Sequence, residues 1–167
     1  MTVHAEASEQ SRRSAAGVKE LGHIVLYVSD LDRSVAFYEG VLGWNKLPSG
    51  DLRFRAAAFS GGRTHHELLL IEVGSGAVPI PQGRRVGMYH FGLKVGDTDD
   101  ELREVLARVQ ASPELASVVG ASDHTVTHSL YVLDPDGNEV ELYIDVPGVD
   151  WANDPTLLLS PIKPLHL

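Results

Sequence analysis

The chain has 167 residues, a length that suits one domain with a substantial apolar core. Its formal net charge of −9 and its lack of clustered Lys and Arg exclude a nucleic-acid-binding surface. No run of about 18 apolar residues is present to span a membrane. The absence of Cys excludes disulfides, thiolate metal ligands and a Cys nucleophile.

The start of the chain does not contribute to the predicted fold. Residues 1–18 are mostly polar and lack the apolar stretch of a signal peptide. This composition is typical of a disordered N-terminal tail. Because no export signal is recognised, the protein is expected in the cytoplasm.

The first folded segment combines strands with one helix. Residues 21–28 form a short apolar run that is typical of a buried strand. An acidic stretch follows, and then apolar residues recur on one stripe of a predicted helix that stops at Gly43. Two further strands are predicted at residues 53–59 and 67–73.

The second half of the chain repeats this pattern. His90 follows His23 by 67 residues, and the same shift superposes other residues of the two copies: Leu26 on Leu93, Val28 on Val95, Asp30 on Asp97, and Asp32 on Asp99. A second amphipathic helix is predicted from Asp99 onward. The strongest hairpin signal follows at residues 125–133 and 139–145, with a further strand around residues 115–119.

The repeat predicts an α+β fold of two βαβββ modules, at residues 19–80 and 85–148, within a single domain at residues 19–148. One such module cannot bury both faces of its sheet. The two modules are therefore expected side by side as a curved mixed sheet, with a concave face between them. The Pro-rich residues 149–167 are expected to form an irregular C-terminal tail.

Three residues with metal-binding side chains lie in the predicted strands: His23, His90 and Glu141. Burial of any one of them without a partner would cost on the order of a few kcal/mol, so a shared partner is the economical explanation. Two neutral imidazoles and one carboxylate form the ligand set of Fe(II) sites that keep coordination positions open. The sequence therefore predicts a metal site in the concave face, with Fe(II) preferred and Mn(II) as the alternative.

The segment from Asp134 to Tyr143 (Asp-Pro-Asp-Gly-Asn-Glu-Val-Glu-Leu-Tyr) resembles the characteristic final hairpin of the vicinal oxygen chelate superfamily. The resemblance covers residues 19 to about 148. The superfamily includes glyoxalases, epimerases, drug-sequestering proteins and type I extradiol dioxygenases. In it, the position that Glu141 matches is that of the last metal ligand.

Two other segments resemble the catechol 2,3-dioxygenases within that superfamily. His65 and His66 match a paired-His strand, and the segment with His124 and Tyr131 matches a His-and-Tyr segment. The resemblance implies that His66 acts in proton transfer and that His124 and Tyr131 contact a bound diol. It further implies O2 as co-substrate, a small aromatic diol as substrate, and a homodimer.

Strand alternation separates these residues from their neighbours. His65 and His66 are expected on opposite faces of a strand, with His66 toward the site and His65 toward solvent. His128 shares the parity of His124 but not that of Tyr131. His128 is therefore interpreted as a bystander.

Two alternatives remain open on the same fold. One is a metal-dependent glyoxalase- or epimerase-like isomerase, in which Glu72 would be a fourth ligand. Against it, the repeat makes Leu69 the counterpart of Glu141, and His66 and Glu72 are roughly 20 Å apart along an extended strand. Glu72 is therefore expected to be an exposed charge at a strand end. The other alternative is a drug- or metabolite-binding protein, a class that generally lacks the three metal ligands.

Overall fold

The repeat is visible as two β-sheets that share one apolar core. The structure is a computed structural model that describes residues 17–48, 50–51, 53–81 and 83–167. The tail predicted at residues 1–18 lies outside the described residues, apart from Gly17 and Val18. No helix in the described part of the chain is long and apolar enough to cross a membrane.

The first module contains three strands. β1 (Ile24–Val28) leads into α1 (Leu31–Val35), which continues as a π-helical segment (Ala36–Val41). β2 (Ala56–Phe59) and β3 (Leu68–Glu72) follow, in the sheet order β1-β3-β2, with β1 parallel and β2 antiparallel to β3. In place of the remaining strand of a βαβββ unit, the described residues of this segment show an isolated bridge between Lys46 and Phe59.

The second module is a complete βαβββ unit: β4 (His90–Gly96), α2 (Asp99–Gln110), β5 (Ser117–Asp123), β6 (Thr127–Leu133) and β7 (Glu139–Asp145). β4 lies parallel to β7, and the other pairs are antiparallel. The C-terminal residues, predicted as irregular, contain a 3-10 helix (Pro155–Leu159) and β8 (Lys163–Pro164), which pairs with β5. The predicted α+β class is confirmed, with two sheets in place of one continuous sheet.

Side chains alternate between the two faces of each sheet. On the faces toward the helices, Leu26 and Leu70 of the first module and Val140 and Leu142 of the second are buried. The opposite faces, called the open faces below, carry Tyr27 in the first module, which is 71% exposed. In the second module the open face carries the polar residues of β7.

Polar side chains fix where the helices begin. Asp30 accepts a hydrogen bond from the Arg33 amide (3.0 Å), and Thr98 forms the matching cap of α2. The prediction for Glu72 as an exposed charge is wrong. Its Oε2 accepts from the Leu31 amide (2.8 Å) and from Arg55 Nη1 (2.8 Å), so this half-buried carboxylate stabilises the start of α1.

The turn between β6 and β7 holds the two modules together. Tyr38 of the first module donates its hydroxyl hydrogen to Asp134 Oδ2 at 2.8 Å, and both side chains are buried. Next to it, the Ser29 amide donates to Asp136 Oδ2 at 3.0 Å, and the Ser29 hydroxyl donates to the other oxygen of that carboxylate. The turn of the last hairpin therefore docks against the end of β1 and the helix of the first module.

Replacing Asp134 with Ala is expected to lower the free energy of unfolding by about 2–4 kcal/mol, because buried donors lose their acceptor. Tyr38→Phe should cost about 1–2 kcal/mol, and a double-mutant cycle should show that the two losses are not additive. Urea unfolding is the measurement. Tyr27→Phe, at an exposed position, is the control and should change stability by less than about 0.5 kcal/mol. Equal losses from Tyr27→Phe and Tyr38→Phe would contradict the role of this contact.

Candidate functional site

The residues predicted to form the site fall into two groups in the structure. His90, His124, Tyr131 and Glu141 form one group, called the Glu141 cluster. His23, His65 and His66 form the other, called the His23 cluster.

Parallel pairing of two strands brings His90 and Glu141 together. In the register of β4 and β7, His90 lies opposite Glu139, and Gly92 lies opposite Glu141. Alternation directs His90 and Glu141 to the same open face, where His90 Nε2 lies 3.1 Å from Glu141 Oε2. Both side chains are only partly exposed, at 27% and 18%. The imidazole nitrogen of His90 and the carboxylate oxygen of Glu141 therefore face each other where both side chains are partly shielded from solvent.

Tyr131 and His124 extend this pair into a chain of hydrogen bonds. Tyr131 lies opposite Glu141 in β6 and donates to Glu141 Oε1 at 3.2 Å. His124 Nε2 lies 2.7 Å from the same hydroxyl oxygen, so we assign the donated hydrogen in this contact to His124. Burial and the Glu141 carboxylate raise the pKa of Tyr131. Tyr131 is therefore a protonated phenol at neutral pH and can act as a donor.

A tight turn, rather than strand alternation, directs His124 to this place. Thr125 has a φ of 72°, its amide donates to Asp123 Oδ1 at 2.6 Å, and the His124 amide donates to the Thr127 carbonyl at 2.9 Å. His128 points the other way, with its Nδ1 2.6 Å from Asp99 Oδ1 at the start of α2. Its position agrees with its interpretation as a bystander.

The His23 cluster lies where β1 and β3 begin. The ring centroids of His23 and His66 are 4.5 Å apart, and His65 Nδ1 lies 2.6 Å from His66 Nδ1. His66 is half-buried and His65 is exposed. Both residues precede β3, so strand alternation does not separate them and both rings reach His23. Desolvation, together with the neighbouring imidazoles of His23 and His65, lowers the pKa of His66, which favours its neutral form.

A cavity of about 580 Å³ lies between the two modules, beside His23. Its lining includes His23 and Trp44 from the first module and Gly92 from the second. A Cβ atom at Gly92 would lie 3.6 Å from Glu141 Oε2 and 3.2 Å from the Tyr143 ring. A side chain at this position would thus crowd Tyr143 and the Glu141 carboxylate, which approach the glycine closely.

The Glu141 cluster contains two of the three predicted metal ligands, His90 and Glu141. His90 Nδ1 is buried without a hydrogen-bond partner and lies 3.7 Å from Glu139 Oε1, while Nε2 faces Glu141. This donor pair suits Fe(II) or Mn(II). Among the described residues, however, no three His, Cys, Asp or Glu side chains are close enough to hold one metal ion. The grouping of His23 with His90 and Glu141 therefore stays a prediction.

Two residues near the site were not predicted. Glu139 lies two positions before Glu141, on the same face of β7, and strand alternation alone could have identified it. Gly92 has no functional side chain, and only the register of β4 with β7 shows that it lies opposite Glu141.

Comparisons with known proteins match most of the chain. A family model described as the Glyoxalase/Bleomycin resistance protein/Dioxygenase superfamily matches residues 20–142. A catechol-2,3-dioxygenase of Bacillus subtilis (strain 168) is 36% identical over 80% of this chain and 44% of its own length. A biphenyl-2,3-diol 1,2-dioxygenase of Paraburkholderia xenovorans (strain LB400) is 33% identical over 75% of this chain and 41% of its own length. The chain thus spans less than half the length of these two dioxygenases.

A solved structure also matches, with nearly full coverage of its own chain. The crystal structure of a lactoylglutathione lyase from Agrobacterium tumefaciens is 31% identical, with a TM-score of 0.55. The match covers 77% of this chain and 95% of the lyase. Similarity at this level therefore extends to two different kinds of enzyme.

The turn that positions His124 contains a strained residue, because a β-branched side chain in the left-handed region costs roughly 1–2 kcal/mol. Asn tolerates that region better, so Thr125→Asn is expected to raise the free energy of unfolding by about 0.5–1 kcal/mol. Thr127→Asn, in the extended strand β6, is the control and should not stabilise the protein. A loss of stability in Thr125→Asn, measured by thermal or urea unfolding, would contradict this account of the turn.

Proposed function

We propose that this chain, which belongs to the Glyoxalase/Bleomycin resistance protein/Dioxygenase superfamily, is an Fe(II)-dependent extradiol dioxygenase. Its substrate would be a small catechol-type aromatic compound, with O2 as co-substrate. The observation that carries the proposal is the hydrogen-bonded chain from His124 through Tyr131 to Glu141, beside His90. This chain offers polar groups for a diol next to a donor pair for a metal. The two similar dioxygenases support the same reaction class.

The proposed ligands are His23, His90 and Glu141, with Fe(II) preferred and Mn(II) as the alternative. His90 and Glu141 support this because their donor atoms face each other at 3.1 Å. His23 supports it because it lines the cavity that reaches Gly92, beside Glu141. Glu139 is proposed to hold the His90 ring through the buried Nδ1, as second carboxylates do for many metal-binding imidazoles.

If His23, His90 and Glu141 held Fe(II), the metal would supply the activation of a diol and O2 at one site. The carbon–carbon bond beside the diol breaks, and both atoms of O2 enter the ring-opened product. The reaction therefore needs no further oxidant or reductant. A fourth protein ligand would remove one of the open positions.

The protein side chains manage the protons in this proposal. Tyr131 is held as a neutral phenol; on substrate binding its single hydroxyl hydrogen is donated to a diol oxygen in place of Glu141 Oε1, and His124 fixes the phenol orientation. His66, whose lowered pKa favours the neutral imidazole, accepts a diol proton on a ring nitrogen. His66 then returns a proton to oxygen as the ring opens.

A glyoxalase-like isomerase is the alternative, and the similarity to a lactoylglutathione lyase supports it. In such an enzyme Glu72 was the candidate for a fourth ligand. Its carboxylate instead accepts hydrogen bonds from Leu31 and Arg55 on the helix side of the sheet. The use of Glu72 in this structural role favours the three-ligand proposal.

Removing a proposed ligand tests the metal site. His90→Ala and Glu141→Ala are each expected to lose Fe(II) after anaerobic reconstitution, because each variant lacks one of the three proposed metal ligands. Metal analysis of the gel-filtered protein gives the readout, and circular dichroism checks that the fold remains. His128→Ala, whose side chain lies on the helix side, is the matched control and should retain iron. Normal iron content in His90→Ala would rule out this assignment.

The role of His66 predicts a defect in turnover rather than in metal binding. His66→Gln is expected to keep its iron and to lose about 10²–10⁴-fold in turnover, the usual range for one general acid or base. His128→Gln, at a side chain that contacts Asp99 on the helix side of the sheet, is the matched control and should lose much less. The assay is oxygen uptake with a panel of catechols, together with the appearance of a yellow ring-opened product. Equal behaviour of the two variants, or no oxygen uptake with any catechol, would refute the mechanism.

A further inference from the structure

A second cavity, of about 720 Å³, lies under the linker between the modules and is called the linker pocket. The linker contributes Arg84 and Arg85 to its wall. The second module contributes Leu133 and Glu139, from the ends of β6 and β7 that adjoin their connecting turn. A pocket of this size, with an apolar wall and a few polar groups, is suited to a small organic molecule.

The linker pocket shares a wall with the Glu141 cluster. Tyr89 lines the pocket, and its ring centroid lies 4.6 Å from that of His90. Glu139 also lines the pocket, and its Oε1 lies 3.7 Å from His90 Nδ1. A substrate that is held at His90 and Glu141 can therefore extend a side group past Tyr89 into the pocket.

The two arginines of the pocket have no carboxylate partner among the described residues, in a chain with 23 acidic and 14 basic residues. Arg84 forms no hydrogen bond or ion pair with the described part of the chain. Arg85 makes only two long contacts, at 3.5 Å, to the carbonyls of Pro81 and Met88. Among the other described arginines, Arg55, Arg63 and Arg103 each pair with a carboxylate, whereas Arg33 and Arg108 donate to backbone carbonyls.

The one carboxylate in the pocket wall leaves the positive charge in excess. Glu139 Oε1 lies 3.7 Å from His90 Nδ1. The wall of the linker pocket thus carries two guanidinium groups and one carboxylate. The net charge of these side chains favours an anionic ligand.

We propose that the linker pocket binds an anionic side group of the substrate, so that the preferred diols are catechols carrying a carboxylate. This inference rests on the proposed dioxygenase function. The planar guanidinium groups of Arg84 and Arg85 hydrogen-bond the carboxylate, while Val119 and Leu133 contact the hydrocarbon that carries it. The arginines act as specificity-determining residues and take no part in ring opening.

The test compares two diols of similar size, 3,4-dihydroxyphenylacetate and the uncharged 4-ethylcatechol. For the iron-loaded protein, kcat/KM is expected to be about 10- to 100-fold higher for the acid, in line with charge-assisted hydrogen bonds. In Arg84→Gln and Arg85→Gln this ratio should fall, and in the double variant it should approach 1. Arg103→Gln, which removes a charge from the exposed face of α2, is the matched control and should keep the wild-type ratio.

Binding of phenylacetate, measured by calorimetry on the protein as purified, separates the pocket from the reaction. Phenylacetate has no diol, and its affinity should fall about tenfold in the double variant. If no diol is cleaved but phenylacetate binding depends on the arginines, the anion site stands and the dioxygenase proposal fails. If both diols are cleaved with a ratio near 1, or if the ratio is unchanged in the arginine variants, the linker-pocket proposal fails and the dioxygenase stands. Absence of both cleavage and phenylacetate binding would overturn both.

Discussion

The buried contact between Tyr38 and Asp134 is the interaction on which the arrangement of the two modules depends. Asp134 is 4% exposed, and its carboxylate accepts hydrogen bonds from the Tyr38 hydroxyl and from the amide and side chain of Asn138. A buried carboxylate is tolerated only when its oxygens are satisfied in this way. The turn between β6 and β7 must therefore stay docked on the first module. Because Glu139 and Glu141 follow that turn directly, docking also fixes the start of β7, where the candidate site begins.

Local patterns predicted the elements that are stabilised locally. The predicted hairpin at 125–133 and 139–145 corresponds to β6 and β7, and the apolar stripe predicted α2, because periodicity reflects which face is buried. Periodicity does not predict contacts between segments that are distant in the sequence. The role of Glu72 depends on its closeness to Leu31, and the place of His124 depends on the left-handed turn at Thr125. The spacing of apolar residues predicts neither the role of Glu72 nor the position of His124.

The separation of the site residues into two clusters was likewise not predicted from the sequence. The sequence identified the chemistry-bearing residues, and the β4–β7 register brings His90 and Glu141 together as strand pairing requires. Whether His23 joins them depends on how one sheet lies against the other, and strand periodicity carries no information on that arrangement. The metal triad, like the homodimer and the cytoplasmic location, stays a prediction, whereas the superfamily is established by the match over residues 20–142.

The repeat also explains why the proposed set of metal ligands contains a single carboxylate. In the first module His23 directly precedes the residues of β1 that pair with β3, and Val25 lies opposite Leu69. In the second module Gly92 lies opposite Glu141. The two registers correspond, so Leu69 is the counterpart of Glu141 and Val25 that of Gly92. An apolar pair in one module is thus replaced by a carboxylate and a glycine in the other. Both copies keep the histidine and only one has the carboxylate, so the repeat accounts for the asymmetry of the proposed donor set.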